Sequence, residues 1–341
     1  MSAIAFTRMH SRTRELVPGL VISLIVAAAA SFLSEHYGAP VMLFALLLGM
    51  ALNFLAGEGA CKAGIEFTAR TVLRMGVALL GMRITLEQIA ALGWKPVALV
   101  VILVMVTIGV SVVAAKALGF QRLFGLLTGG ATAICGASAA LALAAALPNH
   151  PQKERATLFT VIGVSALSTT ALSTTAMILY PMIANWLSLS PKLAGVFLGA
   201  TIHDVAQVVG AGYSMSTETG DTATVVKLMR VAMLVPVIVA GAMVTRMQGA
   251  DPTGKRPPLL PWFAVGFVLL ACLNSTGWVV PVVQGAVNEL SRWSLVVSIS
   301  ALGMKTQLKE LAAVGIKPIL LMVGETVFLA VLVLLLLHWG F

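Results

Sequence analysis

Charge is what this chain has least of. Lysine, arginine, aspartate and glutamate make up 10% of its 341 residues, against 59% hydrophobic, and the mean hydropathy is +0.99. A chain so poor in charge cannot cover a soluble surface, and its apolar runs recur along the whole length at about twenty residues each, the length that crosses a bilayer as a helix. Cysteine is nearly missing too. Cys61, Cys135 and Cys272 are odd in number and far apart, which excludes a disulfide framework and a zinc spacing. The chain also lacks GxxxxGK[ST], HExxH and GxSxG, and its five histidines are scattered. These absences argue against an ATP-driven pump and an intramembrane hydrolase, so no enzyme activity, no cofactor and no metal are expected. The net charge of +9 does not imply a nucleic-acid partner, because its cations lie mostly in short loops between apolar runs.

What is present is a series of eleven apolar runs, near residues 16–33, 40–56, 64–82, 96–118, 122–147, 156–184, 191–213, 222–247, 258–277, 283–304 and 318–338. The expected fold is an all-α polytopic membrane protein of about eleven spans, with a cytoplasmic segment at 1–15 and one transmembrane domain over 16–341. With the N-terminus inside, Lys62, Lys116, Arg122, Lys192, Arg246, Lys255, Arg256, Lys305, Lys309 and Lys317 join Arg8, Arg12 and Arg14 on the cytoplasmic side. Only Arg83, Lys95, Lys153 and Arg155 fall outside. That bias predicts a C-terminus on the outer face.

An internal repeat is readable. ALLGMRITLEQIAALGWKPVALV, Ala78 to Val100, aligns without gaps to SALGMKTQLKELAAVGIKPILLM, Ser300 to Met322, with ten of 23 positions identical. Gly81 meets Gly303, Lys95 meets Lys317, Pro96 meets Pro318, and upstream Arg70 meets Arg292. Seven expected spans separate the copies, so they are expected in opposite orientations, as an inverted-topology repeat around 64–118 and 286–338.

Two runs are poor helices. TGGATAICGASAAL, Thr128 to Leu141, carries Gly129, Gly130 and Gly136 among Thr128, Thr132, Cys135 and Ser138. LGATIHDVAQVVGAG, Leu198 to Gly212, holds His203, Asp204 and Gln207 inside an apolar run. Glycines at this density break helices, and broken backbone at membrane depth survives only beside protein or a wet cavity. Small residues also serve as helix-packing faces, the rival reading of the first stretch. Discontinuous helices at 122–147 and 191–213 would instead frame a substrate site.

Charges within the spans indicate what is bound. The cations are Arg70, Arg74, Lys227, Arg230 and Arg292; the anions are Glu66, Asp204, Glu289 and Glu325. A half-helix N-terminus after Gly136 favours an anion, and arginine forks suit oxyanions. The candidate substrate ligands are Thr128, Gly130, Cys135, Gly136, Ser138, Arg74, Arg292 and Gln207. Asp204 is the candidate for a coupling proton or Na⁺, with His203 as relay. Lys227 and Arg230, close to the start of their expected span, are equally well read as snorkelling to an interface.

The two broken stretches and the following GDTATVVKLMRV resemble motifs of the YeiH-like bacterial inner-membrane proteins, often labelled sulfate exporters. The likeness runs from about Val17 to the end. It implies the fold group of cation/proton antiporters and bile-acid symporters, with a panel domain, a core domain of crossed discontinuous helices, and a homodimer through the panel. The function expected is a secondary transporter of a small anion, such as sulfate or another sulfur oxyanion, by alternating access with proton or Na⁺ coupling. A cation/proton antiporter and an anion channel are the alternatives.

Overall fold

The computed structural model describes residues 2–37, 40–57, 59–136, 139–140, 143, 171–237, 239–240, 262–306 and 316–340, and every regular element in them is helical. In chain order these are α1 (Ser2–Tyr37), α2 (Val41–Ala51), α3 (Lys62–Phe67), α4 (Leu73–Leu79), α5 (Leu86–Ala91), α6 (Lys95–Ala117) and α7 (Arg122–Ala133). Then follow α8 (Ser173–Trp186), α9 (Pro191–Thr201), α10 (Val205–Met215), α11 (Thr217–Ala232), α12 (Trp262–Ser275), α13 (Pro281–Lys305) and α14 (Ile316–His338). Among the described residues three helices are long and apolar enough to cross a membrane: Arg14–Tyr37, Lys95–Ala117 and Ile316–His338. The run at 191–213, expected to be a discontinuous helix, is α9 and α10 with non-helical residues between them; at 64–82 α3 continues into α4 through a π-helical turn at Thr68–Val72.

The chain folds as two compact units, Met1–Ala90 with Trp262–Gln307, and Ala91–Pro261 with Leu308–Phe341. In the first, α2 packs along α13 and α1 along α2 and α3. The contact of α2 with α13 is backbone on backbone: a Cβ built on Gly303 would stand 2.4 Å from the Leu46 carbonyl oxygen. Without side chains there the two helices close on each other, and dispersion between their backbones replaces the hydrophobic drive that lipid does not supply. Ile65, Ala69, Ala301 and Met304 form the core.

In the second unit α7 packs on α6, α9 and α10 on α11, and α14 on α6, α7 and α9. The repeated sequence has a structural echo. Both copies lead through Lys-Pro into helices of 23 residues, α6 and α14, whose prolines sit at the helix start where no N–H is needed. Upstream the copies differ, because α13 is α-helical throughout where a π-helical turn joins α3 to α4. The second copy's linker at 307–315 and the cations Lys153, Arg155, Arg246, Lys255, Arg256 and Lys309 lie outside the described residues.

Candidate functional site

The second unit contains both broken helices. Ser190 caps α9, its hydroxyl accepting from the Leu193 N–H at 3.4 Å, and Pro191 opens the first turn. Gly199 lets α9 lie against α11, since a Cβ there would stand 2.4 Å from the Ala223 carbonyl oxygen. The helix stops at Thr201. Ile202 and Asp204 are extended, and the Asp204 carboxylate accepts from the Ala206 N–H at 3.3 Å as the N-cap of α10. The run therefore unwinds at 202–204, where the sequence places His203 and Asp204 together.

The first break follows α7. Gly136 takes φ of 68°, and its N–H donates to the Ala131 carbonyl at 2.7 Å, a left-handed closure that a side chain would strain. A new turn then begins, with the N–H groups of Ala139 and Ala140 donating to the Gly136 carbonyl at 3.1 and 3.2 Å.

Two half-helix C-termini, those of α7 and α9, leave carbonyls that hydrocarbon cannot satisfy. One face of α11 satisfies them. Lys227 Nζ donates to the carbonyls of Ile134 at 2.8 Å and Ile202 at 3.0 Å. Arg230 donates from Nε to Ala133 at 2.8 Å, from Nη1 to Gly199 at 3.1 Å and Ile202 at 3.0 Å, and from Nη2 to Thr132 at 2.8 Å. Both side chains are 0% exposed, and among the described residues neither forms an ion pair with a carboxylate. Their counter-charge is the negative end of each half-helix, in line with the preference of cations for helix C-termini. An ammonium has three hydrogens and a guanidinium five, so these six bonds leave one hydrogen on each group for another ligand.

His203 lies in the second break, 1% exposed. Its Nδ1 is 3.1 Å from the Thr132 carbonyl, which only accepts, so Nδ1 carries hydrogen; Nε2 is 2.9 Å from the Thr326 hydroxyl of α14. Thr132 thus joins both breaks, its carbonyl meeting Arg230 and His203 together.

Of the sequence-predicted ligands, Thr128, Gly130, Cys135 and Gly136 lie in α7 and its break, and Gln207 is buried one turn beyond Asp204 in α10. Asp204 is half-buried beside buried His203. Ser138 lies outside the described residues. Arg74 and Arg292 belong to the first unit and are exposed; Arg292 pairs with Glu289 at 3.0 Å and covers the Trp293 ring. The snorkelling alternative for Lys227 and Arg230 fails, because both are wholly buried. Sequence reasoning gave no role to Ser111 and Thr326 of α6 and α14. Their signal was slight: hydroxyls in apolar runs whose partners Glu325 and His203 lie 214 and 123 residues away.

Comparison with known proteins gives a consistent result. A family model described as Conserved hypothetical protein 698 matches residues 18–322. The chain is 55% identical over 319 residues to the UPF0324 membrane protein CT0845 of Chlorobaculum tepidum, covering 93% of this chain and 88% of that protein. It is 55% identical over 324 residues to the UPF0324 membrane protein TauZ of Paracoccus denitrificans, covering 94% of each. With TauZ of Paracoccus pantotrophus it shares 54% over 327 residues, 95% of each.

Proposed function

This chain belongs to the Conserved hypothetical protein 698 family, the YeiH-like membrane proteins that its motifs resemble, and from that premise we propose that it is a secondary transporter of a small anion. The observation that carries the reading is the pair Lys227 and Arg230 at the two helix breaks. A cation entering this site would have to compete for carbonyls that two cationic side chains already hold. An anion instead meets the remaining hydrogens of both groups and the positive N-terminal end of α10. Sulfate or another sulfur oxyanion fits such donors, because tetrahedral oxygens accept from several directions.

In this reading the two breaks alternate between the faces of a bacterial inner membrane, with the N-terminus cytoplasmic and the C-terminus periplasmic. Asp204 takes up a coupling proton at the break and His203 relays it inward.

The test is uptake of radiolabelled sulfate into proteoliposomes holding the purified chain, with sulfite, thiosulfate, taurine and chloride as competitors and an imposed pH gradient. Saturable uptake against a gradient, competed by other sulfur oxyanions, is expected. Absence of anion flux together with Na⁺- or K⁺-driven proton movement would replace this reading with a cation/proton antiporter. Flux that never accumulates the anion would make the protein a channel.

A further inference from the structure

Glu325 is a buried acid in the middle of α14, 3% exposed, for which the anion site has no use. Its hydrogen-bond partners come from two other helices. Oε1 is in hydrogen-bond contact with the hydroxyls of Ser111 on α6 and Thr128 on α7, the latter at 2.9 Å, and Oε2 accepts from the Thr132 hydroxyl at 2.8 Å. Among the described residues no lysine, arginine or histidine forms an ion pair with it. An ionised carboxylate so placed, with hydroxyls but no cation, carries a desolvation cost of several kcal/mol and normally takes up a proton instead.

Counting hydrogens leads to the same state. The Ser111 oxygen is 2.7 Å from the Gly125 carbonyl, 3.1 Å from the Thr128 hydroxyl and in contact with Glu325 Oε1, yet it has one hydrogen to give. Thr128 likewise meets both the Phe124 carbonyl at 3.1 Å and Oε1. If Glu325 is ionised, the two hydroxyl hydrogens face three oxygens that only accept: the Gly125 and Phe124 carbonyls and Oε1. If Oε1 carries a proton, it donates to Ser111 Oγ, Ser111 donates to Gly125 and Thr128 to Phe124, so each oxygen that only accepts receives one hydrogen.

We propose that Glu325, in the hydroxyl pocket of Ser111, Thr128 and Thr132, is a proton-binding site that is loaded in this conformation and gives its proton to water when the Ser111 hydroxyl turns from the Gly125 carbonyl to the carboxylate. That turn breaks the Ser111–Gly125 hydrogen bond between α6 and α7. The Thr132 hydroxyl holds Glu325 while its carbonyl holds Arg230 and His203, so loading of the acid and placement of the first break share one residue. The charged and titratable groups on every packed element are accounted for among the described residues. On α6 and α7 the cations Lys95, Lys116 and Arg122 lie at helix ends, and on α9 Lys192 does so too. From the second break His203 faces Thr326 and Thr132, not the carboxyl. From α11 Arg230 donates to the Thr132 carbonyl and, among the described residues, forms no ion pair with the carboxyl.

This inference rests on the transport reading for its use in coupling, but the two are separable. Infrared difference spectra of the intact protein in lipid, wild type against Glu325→Gln, should contain the carbonyl stretch of a protonated carboxylic acid near neutral pH, lost in the variant and titrating away as pH rises. In proteoliposomes Glu325→Gln should keep sulfate counterflow and lose the response to a pH gradient. No acid band distinguishing the two proteins at any pH overturns the proposal, as does a folded Glu325→Gln protein whose uptake still responds to the pH gradient. Loss of a Na⁺ response instead would overturn the proton assignment. If the wild type takes up no anion, the transport reading fails while the infrared arm still decides the site. Should the glutamine variant fail to fold, Glu325→Asp keeps a carboxyl one methylene further from Ser111. Its acid band should titrate at a displaced pH, and an unmoved midpoint overturns the pocket.

Discussion

In the first unit, Arg70 pairs with Glu66 and Arg292 with Glu289, each within one helical turn, and all four side chains are open, between 46% and 64% exposed. In the second, Lys227 and Arg230 are 0% exposed and Glu325 3%, and their partners are backbone carbonyls and hydroxyls from other helices. The same residue types thus serve two different ends. Exposed pairs at i,i+3 or i,i+4 form wherever the spacing allows and contribute little. Buried cations at helix breaks hold backbone carbonyls that hydrocarbon cannot satisfy, and ionisable side chains kept at such depth mark functional sites. The contrast favours the second unit as the place where substrate and proton are handled.

The hardest blow to this contrast is Arg230→Ala. It strips hydrogen bonds from the carbonyls of Thr132, Ala133 and Gly199 at once, and each buried acceptor left without its donor costs roughly 1–3 kcal/mol. Thermal unfolding in detergent should show a marked fall in Tm and sulfate uptake should vanish. Arg230→Lys should recover little, since an ammonium has no planar fork to span both half-helices. A wild-type Tm for Arg230→Ala would mean that the breaks are held by something else.

Next comes a pair of substitutions in which the units should behave alike. Gly199→Val would force α9 from α11, and Gly303→Val would force α13 from α2; in both cases the new Cβ would meet a carbonyl oxygen at 2.4 Å. Overpacking of this kind costs about 1–3 kcal/mol. Similar falls in Tm are expected, with uptake of residual folded protein lost only for Gly199→Val, since only that contact supports a break. Equal loss of uptake per folded molecule would erase the functional difference between the units.

Asp204→Asn should be milder still. Asparagine caps a helix as well as aspartate does, so stability should stay within about 0.5 kcal/mol. The pH-gradient response of uptake should be lost, because Asp204 takes up the proton on the same path that Glu325 serves. An unchanged response would remove Asp204 from the proton path.

How much of this was legible in the sequence depends on how far each partner lies along the chain. The breaks were readable because their causes are local: Gly136, and the cluster of His203 and Asp204 between glycines. The resemblance of the two Lys-Pro entries was readable for the same reason, and α6 and α14 have equal length. The meeting of Lys227 with Ile134 and of Glu325 with Ser111 was not, since 93 and 214 residues separate them. Distance along the chain also hid why Lys227 and Arg230 do not snorkel. Their helix starts at Thr217, several turns before Arg230, rather than near 222, which carries both away from the end of the span. Sequence reasoning favoured Arg74 and Arg292 as anion ligands on residue type alone, and residue type is what fails to separate a buried cation from an exposed one.

Arg292→Ala is therefore the smallest effect expected and the sharpest check on the comparison. The substitution removes an i,i+3 pair that is more than half exposed and a cation over the Trp293 ring at 5.7 Å, both in contact with solvent or lipid. Double-mutant measurements on such pairs give about 0–1 kcal/mol. Tm and the half-saturating sulfate concentration should stay at wild-type values, and Arg74→Ala should behave likewise. If Arg292→Ala instead raises the half-saturating concentration while leaving Tm alone, substrate meets the first unit's cations during the cycle. The exposed charge would then be a binding group, and the breaks at Lys227 and Arg230 a scaffold for movement rather than the site itself.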